Sequence, residues 1–86
     1  MKIKFSENGW KDYLSWQNEN KKIVNKINKL NKFIQRTPYE GLGKPEALKF
    51  DMAGFWSRRI DNEHRLVYQL KDDYIYIYSC RYHYDI

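Results

Sequence analysis

The sequence predicts an α/β fold of the α+β kind: two N-terminal helices packed on a curved, mainly antiparallel β-sheet, in the order β-α-α-β-β-β(-β). Three observations carry this. The chain begins with an alternating apolar and basic segment. Apolar side chains then recur at helical spacing up to a Thr-Pro stop. Alternating segments return after a loop rich in Pro and Gly. With 86 residues the chain is expected to form one domain, 1–86, with a thin core closed by large aromatic side chains.

In KIKFS, Ile3 and Phe5 lie on one side and Lys2 and Lys4 on the other, the pattern of a half-buried strand. Ser6 is placed to cap a helix starting near Glu7. There Trp10, Tyr13, Leu14 and Gln17 recur as the inner face, and Lys11, Asp12 and Ser15 face away. Asn20 caps a longer helix whose stripe is Ile23, Ile27, Leu30 and Ile34, widened by Val24 and Phe33. Thr37-Pro38 ends it, because the residue before proline is driven from helical angles.

TPYEGLGKP at 37–45 holds both prolines and two of the four glycines and is expected to be a surface loop. A short piece, EALKF, and a turn at DMAG lead into three strands, FWSRRID, HRLVYQLK and YIYIYSCRYH. Gly54 suits the turn, and Met52, Phe55 and Trp56 are expected to close the end of the core. The last strand carries Ile75, Ile77, Ser79, Arg81 and His83 in one phase and Tyr74, Tyr76, Tyr78, Cys80 and Tyr82 in the other, so it is expected to be central.

Sixteen Lys and Arg against eleven Asp and Glu give a formal charge of +5, which favours a polyanion or an acidic protein as partner. The lone cysteine, Cys80, excludes an internal disulfide, and no Cys/His metal array is present. No apolar run suits a signal peptide or a membrane span, so a cytoplasmic protein is expected.

The chemistry-bearing residues gather in the second half. Arg65 shares its phase with Gln69 and Lys71, which places it on the exposed face or its edge, and Arg58 and Arg59 lie in opposite phases. The tail CRYHYDI joins Arg81, Tyr82, His83 and Tyr84, where an imidazole can exchange protons near neutral pH and tyrosines can stack on bases. A cationic clamp beside such groups is the equipment of metal-free RNA cleavage. Glu46, Glu63, Asp51 and Asp61 are the carboxylates available as base. Glu46 is flanked by Lys44 and Lys49, which can themselves hold phosphate. His64 shares its phase with Leu66, Tyr68 and Leu70, as a packed or capping histidine does. The plain alternative is a basic, aromatic module that binds RNA or an acidic peptide without cleaving anything.

GKPEALK at 43–49, GFWSRRIDNEHRLVY at 54–68 and CRYHY at 80–84 closely resemble the YoeB/Txe toxins of bacterial type II toxin–antitoxin modules, within the RelE/ParE superfamily. Trp10, DYLSWQ at 12–17, KIVNKIN and RTPYEG extend the resemblance over nearly the whole chain. It implies a RelE-like fold and a metal-free mRNA endoribonuclease that needs no cofactor. Such an enzyme cuts message in the ribosomal A site, leaving 2′,3′-cyclic phosphate and 5′-hydroxyl ends. It also implies a YefM-like antitoxin, a possible homodimer, and contact with operator DNA only through the antitoxin complex. Carried onto this sequence, the carboxylate base falls on Glu46, the phosphate-binding lysine on Lys49, the clamp on Arg59 and Arg65, the general acid on His83 and a supporting aromatic on Tyr84. Lys44, Arg58, Arg81 and Tyr82 complete the expected RNA-holding set. A ParE-like inhibitor of DNA gyrase shares the fold, and the combination of Glu46, Arg65 and His83 argues against it. Asp85 and Ile86 follow the tyrosine at which relatives tend to end, and are expected to be tolerated.

Overall fold

The computed structural model describes residues 1–82. Strand β1 (Lys2–Phe5) leads into helices α1 (Glu7–Glu19) and α2 (Lys21–Arg36). Strands β2 (Glu46–Ala47), β3 (Trp56–Arg59), β4 (Arg65–Lys71) and β5 (Tyr74–Ser79) follow. The sheet order is β1-β5-β4-β3-β2, with β1 parallel to β5 and every other pair antiparallel. The fold class and element order thus agree with the sequence, and β5 is central. The strands are shorter than expected: β5 ends at Ser79, and Cys80 to Tyr82 leave the ladder.

Both helix starts are capped as their sequences require. The Ser6 hydroxyl accepts the Gly9 N–H at 2.9 Å, and the Asn20 side chain accepts those of Lys22 and Ile23. Thr37 terminates α2, its N–H reaching the Phe33 carbonyl. The α2 stripe is buried, with Ile27, Leu30 and Ile34 fully inaccessible against Leu66, Tyr68, Ile75 and Ile77 of the sheet. Each such side chain contributes about 1.5–3 kcal/mol, and truncating one to Ala costs about 2–5 kcal/mol.

Helix α1 is rotated from its expected setting. Trp10 and Leu14 are exposed, whereas Gly9 and Trp16 are buried. Asp12 and Ser15, expected to face solvent, point at the residues after β5. Gly9 explains the rotation. A β-carbon there would stand 2.5 Å from the Ile77 carbonyl oxygen, so only glycine lets α1 lie this close to β5. Trp10 instead stacks on Tyr13 and meets Phe5 edge-on.

A register shift at Val67/Tyr68 separates two pairings: Val67 opposes Ser79, but Tyr68 opposes Ile77. Tyr78 is the extra residue of this bulge, and its carbonyl accepts the Ser6 hydroxyl at 2.7 Å. The bulge reverses the phase of β5. Cys80, expected beside the exposed tyrosines, is therefore fully buried with the helices. Trp56 packs against the main core, while Phe55 turns to the other face and meets the Tyr78 ring at 5.4 Å.

Candidate active site on the exposed sheet face

Two cross-strand rows define the face away from the helices. In the first, Glu46 of β2 opposes Ser57 of β3, Ser57 opposes Val67 of β4, and Val67 opposes Ser79 of β5. In the second, Arg59 opposes Arg65. Same-face neighbours along a strand lie about 7 Å apart, so Glu46 is the diagonal neighbour of Arg59. The Arg59 N–H donates to the Gly43 carbonyl at 2.7 Å, which brings the loop residue next to Lys44 alongside the arginine row. Lys44 (φ 53°), Glu46, Lys49 and Arg59 are all exposed.

Arg65 is half-buried, and its guanidinium donates to the carbonyls of Asp61 (2.9 Å) and His64 (3.1 Å). Those bonds hold it beside the turn from β3 to β4. The turn is built by Asp61, whose carboxylate accepts the N–H groups of Glu63 and His64 at 2.8 and 2.7 Å. Burial alone would raise the Asp61 pKa. The two N–H groups and the nearby His64 and Arg65 outweigh it and hold the carboxyl below its ordinary value. Asp61 is thereby a turn residue, and Glu46 stands diagonal to the arginine row.

Apolar groups floor the same face. Leu48, whose N–H donates to the Phe55 carbonyl, and Val67 are buried but lie outside the main core. Lys4 holds its ammonium 4.2 Å from the Tyr74 ring centroid, and Phe50, which the sequence had not singled out, is 78% exposed.

The structure corrects two expected RNA-binding residues. Arg58 is fully buried on the helix side of β3. Its guanidinium donates to the carbonyls of Thr37, Glu40 and Leu42 and to the Tyr68 hydroxyl, tying the 37–43 loop to the sheet. Strand alternation puts it there, since Arg58 opposes the core residue Leu66. Arg81 is the second correction. It makes a two-pronged ion pair with Glu19 at 2.7 and 3.0 Å and lies 4.2 Å from the Trp16 ring centroid. Tyr82 remains an exposed aromatic, 57% accessible, with backbone bonds to both neighbours: its N–H donates to His64 Nδ1 and its carbonyl accepts the Arg65 N–H. His64 is buried and packs edge-on against Trp16. The candidates His83 and Tyr84 lie outside the described residues.

Among the described residues no group of three or more His, Cys, Asp or Glu is placed to hold a metal ion, and no helix is long and apolar enough to cross a membrane. The model of the YoeB-like toxins of bacterial type II toxin–antitoxin systems matches residues 5–84.

The chain belongs to this family.

The YoeB toxin of Escherichia coli K12 is 60% identical over 84 residues, 98% of this chain and all of that one. The YoeB toxin of Streptomyces coelicolor is 50% identical over the same share. Among solved structures, the YoeB/ParE toxin of Agrobacterium tumefaciens superposes with a TM-score of 0.95 at 48% identity, covering 98% of this chain and 100% of that one. A Staphylococcus aureus YoeB, solved in complex with YefM, superposes with a TM-score of 0.90 at 52% identity, each chain covered to 98%. YafQ of E. coli, at 21% identity and a TM-score of 0.78, shares the fold.

Proposed function

We propose that this YoeB-family toxin is a ribosome-dependent mRNA endoribonuclease that needs no metal and cuts message bound in the A site. The observation that carries this reading is the register of Arg59 and Arg65 on the exposed face, one step from Glu46. Arg59 and Arg65 are cross-strand partners, and like charges so paired are favourable when an anion sits near both. A phosphodiester is such an anion.

In the proposed step the 2′-oxygen of the message attacks the adjacent phosphorus, the bond from phosphorus to the 5′-oxygen breaks, and a 2′,3′-cyclic phosphate and a 5′-hydroxyl result. Glu46 takes the 2′-hydroxyl proton, and protonated His83 supplies one to the leaving 5′-oxygen, supported by Tyr84. Arg59 and Arg65 meet the charge that develops on the non-bridging oxygens, and Lys49 and Lys44 hold neighbouring phosphates. Tyr82 offers a ring for stacking. His64, the one histidine among the described residues, is buried against Trp16, so alignment of the message by the ribosome supplies much of the rate. Docking there is driven by the +5 charge and weakens with salt.

The partner follows from the same surface. A YefM-like antitoxin with an acidic segment competes for these cations, as the S. aureus complex makes reasonable for this chain, and a homodimer accords with the S. aureus YoeB dimer. The site of action is the cytoplasm, where ribosomes and message meet.

The test adds purified protein to ribosomes carrying a defined message and maps the new 5′ ends. Cleavage at the A-site codon, reduced about a hundredfold by Arg65→Ala, supports the reading. Absence of any cut, or an undiminished rate in the variant, overturns it.

A further inference from the structure

One face of α1 is occupied by the segment that leads into the tail. Asp12, Ser15, Trp16 and Glu19 recur at the spacing of a single helical stripe, and all four hold residues 80 and 81. The Asp12 carboxylate accepts the Cys80 N–H at 3.0 Å, and the Trp16 indole donates to the Cys80 carbonyl at 2.8 Å. Ser15 and Glu19 each receive the Arg81 guanidinium at 2.7 Å, and that group lies 4.2 Å from the Trp16 ring centroid. From the other side, Tyr82 is held by the Arg65 N–H of β4 at 3.0 Å and by Nδ1 of the preceding His64 at 2.7 Å. Tyr82 has φ of 64°, uncommon for a residue with a side chain, and is held from both sides.

A strand that had merely ended would not need these partners. The next residue in the sequence is His83. A general acid works only within hydrogen-bond reach of its leaving oxygen, and a displacement of about 1 Å costs about a hundredfold in rate. We propose that Glu19, acting through Arg81, is a positioning residue that fixes the segment directly preceding the catalytic His83, although it lies 62 residues from Arg81 in sequence. This inference rests on the endoribonuclease reading. Arg81 is then a structural clamp rather than a contact with message, and α1 contributes to catalysis without reaching the substrate.

Glu19 suits a test because its side chain is half-exposed and outside the core. Single-turnover cleavage of ribosome-bound message is measured for the full chain, Glu19→Ala, Glu19→Gln, Arg81→Ala and the double Ala variant, with Tm and amide exchange in parallel. Glu19→Ala is expected to lower the rate at saturating ribosomes about tenfold. Its half-saturating concentration should move less than twofold and its Tm by a few degrees at most, and the Cys80 and Tyr82 amides should exchange faster. Glu19→Gln, which keeps an acceptor for the guanidinium, should recover most of the rate, and the double variant should be no slower than Arg81→Ala. An unchanged rate or unchanged exchange in Glu19→Ala overturns the inference, as does a rise in half-saturation with the rate intact. If the unaltered chain cleaves and Glu19→Ala matches it, only the positioning role fails. If the unaltered chain does not cleave, the endoribonuclease reading fails first.

Discussion

Arg58 and Arg59 are neighbours in β3 and serve opposite layers: Arg58 is fully buried with its guanidinium on the Tyr68 hydroxyl, and Arg59 is exposed opposite Arg65. Adjacent strand residues point to opposite faces, so one arginine of the pair had to enter the helix-facing layer. It is tolerated there because three backbone carbonyls and a hydroxyl replace the water it gives up.

The two arginines therefore predict opposite phenotypes. Arg58→Met removes the guanidinium donor from those carbonyls, leaving Glu40 only its bond from the Thr37 hydroxyl, and is expected to cost about 3 kcal/mol. Thermal unfolding should then fall by about 12 °C or more for a chain of this size. Arg59→Ala should shift Tm by no more than a few degrees while lowering message cleavage at least tenfold. Equal losses of Tm in both variants would contradict the layer assignment.

Gly9→Ala tests how α1 meets β5. Alanine favours the helix by about 1 kcal/mol, but its methyl would stand 2.5 Å from the Ile77 carbonyl oxygen, an overlap that costs more than the propensity returns. A net loss of about 1–2 kcal/mol is expected in denaturant unfolding. A gain in stability would show that the helix can lift without penalty.

The Glu19 carboxyl is held below its ordinary 4.5 mainly by the hydrogen bond from Arg81. A depressed carboxyl contributes stability above its unfolded pKa and loses it as the pH falls through the folded value. The stability difference between the wild-type chain and Glu19→Gln should accordingly be largest above about pH 4.5, shrink in acid and weaken with salt. Carboxyl titration by NMR should show the depressed value returning to 4.5 in Arg81→Ala.

Cys80 is predicted to be chemically silent. Burial, with the Asp12 carboxylate beside it, pushes the thiol up to about 12, leaving almost no thiolate at neutral pH. Native protein should alkylate at least about a hundredfold more slowly than protein in denaturant. Comparable rates would mean that the segment after β5 opens freely.

The sequence showed the layers because each depended on a local signal: the Ser6 and Asn20 caps, the α2 stripe, the Thr37-Pro38 stop and the central position of β5. What escaped it depended on contacts distant in the chain. The bulge at Tyr78 reverses the phase of β5, and nothing near Tyr78 in sequence announces it. The α1 face was misjudged because Trp10 and Leu14 outweighed Gly9, the one residue whose lack of a side chain reports close packing. Arg58 and Arg59 were separable by phase, but which of them faced the helices needed the pairing of Arg58 with Leu66. Of the candidate site, the register joining Glu46 to the arginine row became visible only once β2 was placed at the sheet edge.

The central claim is that the message supplies its own nucleophile to a phosphate held by Arg59 and Arg65. It is tested most directly by replacing the single nucleotide before the cut with its 2′-deoxy form in an otherwise identical ribosome-bound message, then mapping 5′ ends. The account predicts that cleavage at that position disappears while ribosome binding by the toxin is unchanged. Cleavage that persists at its original rate would contradict it.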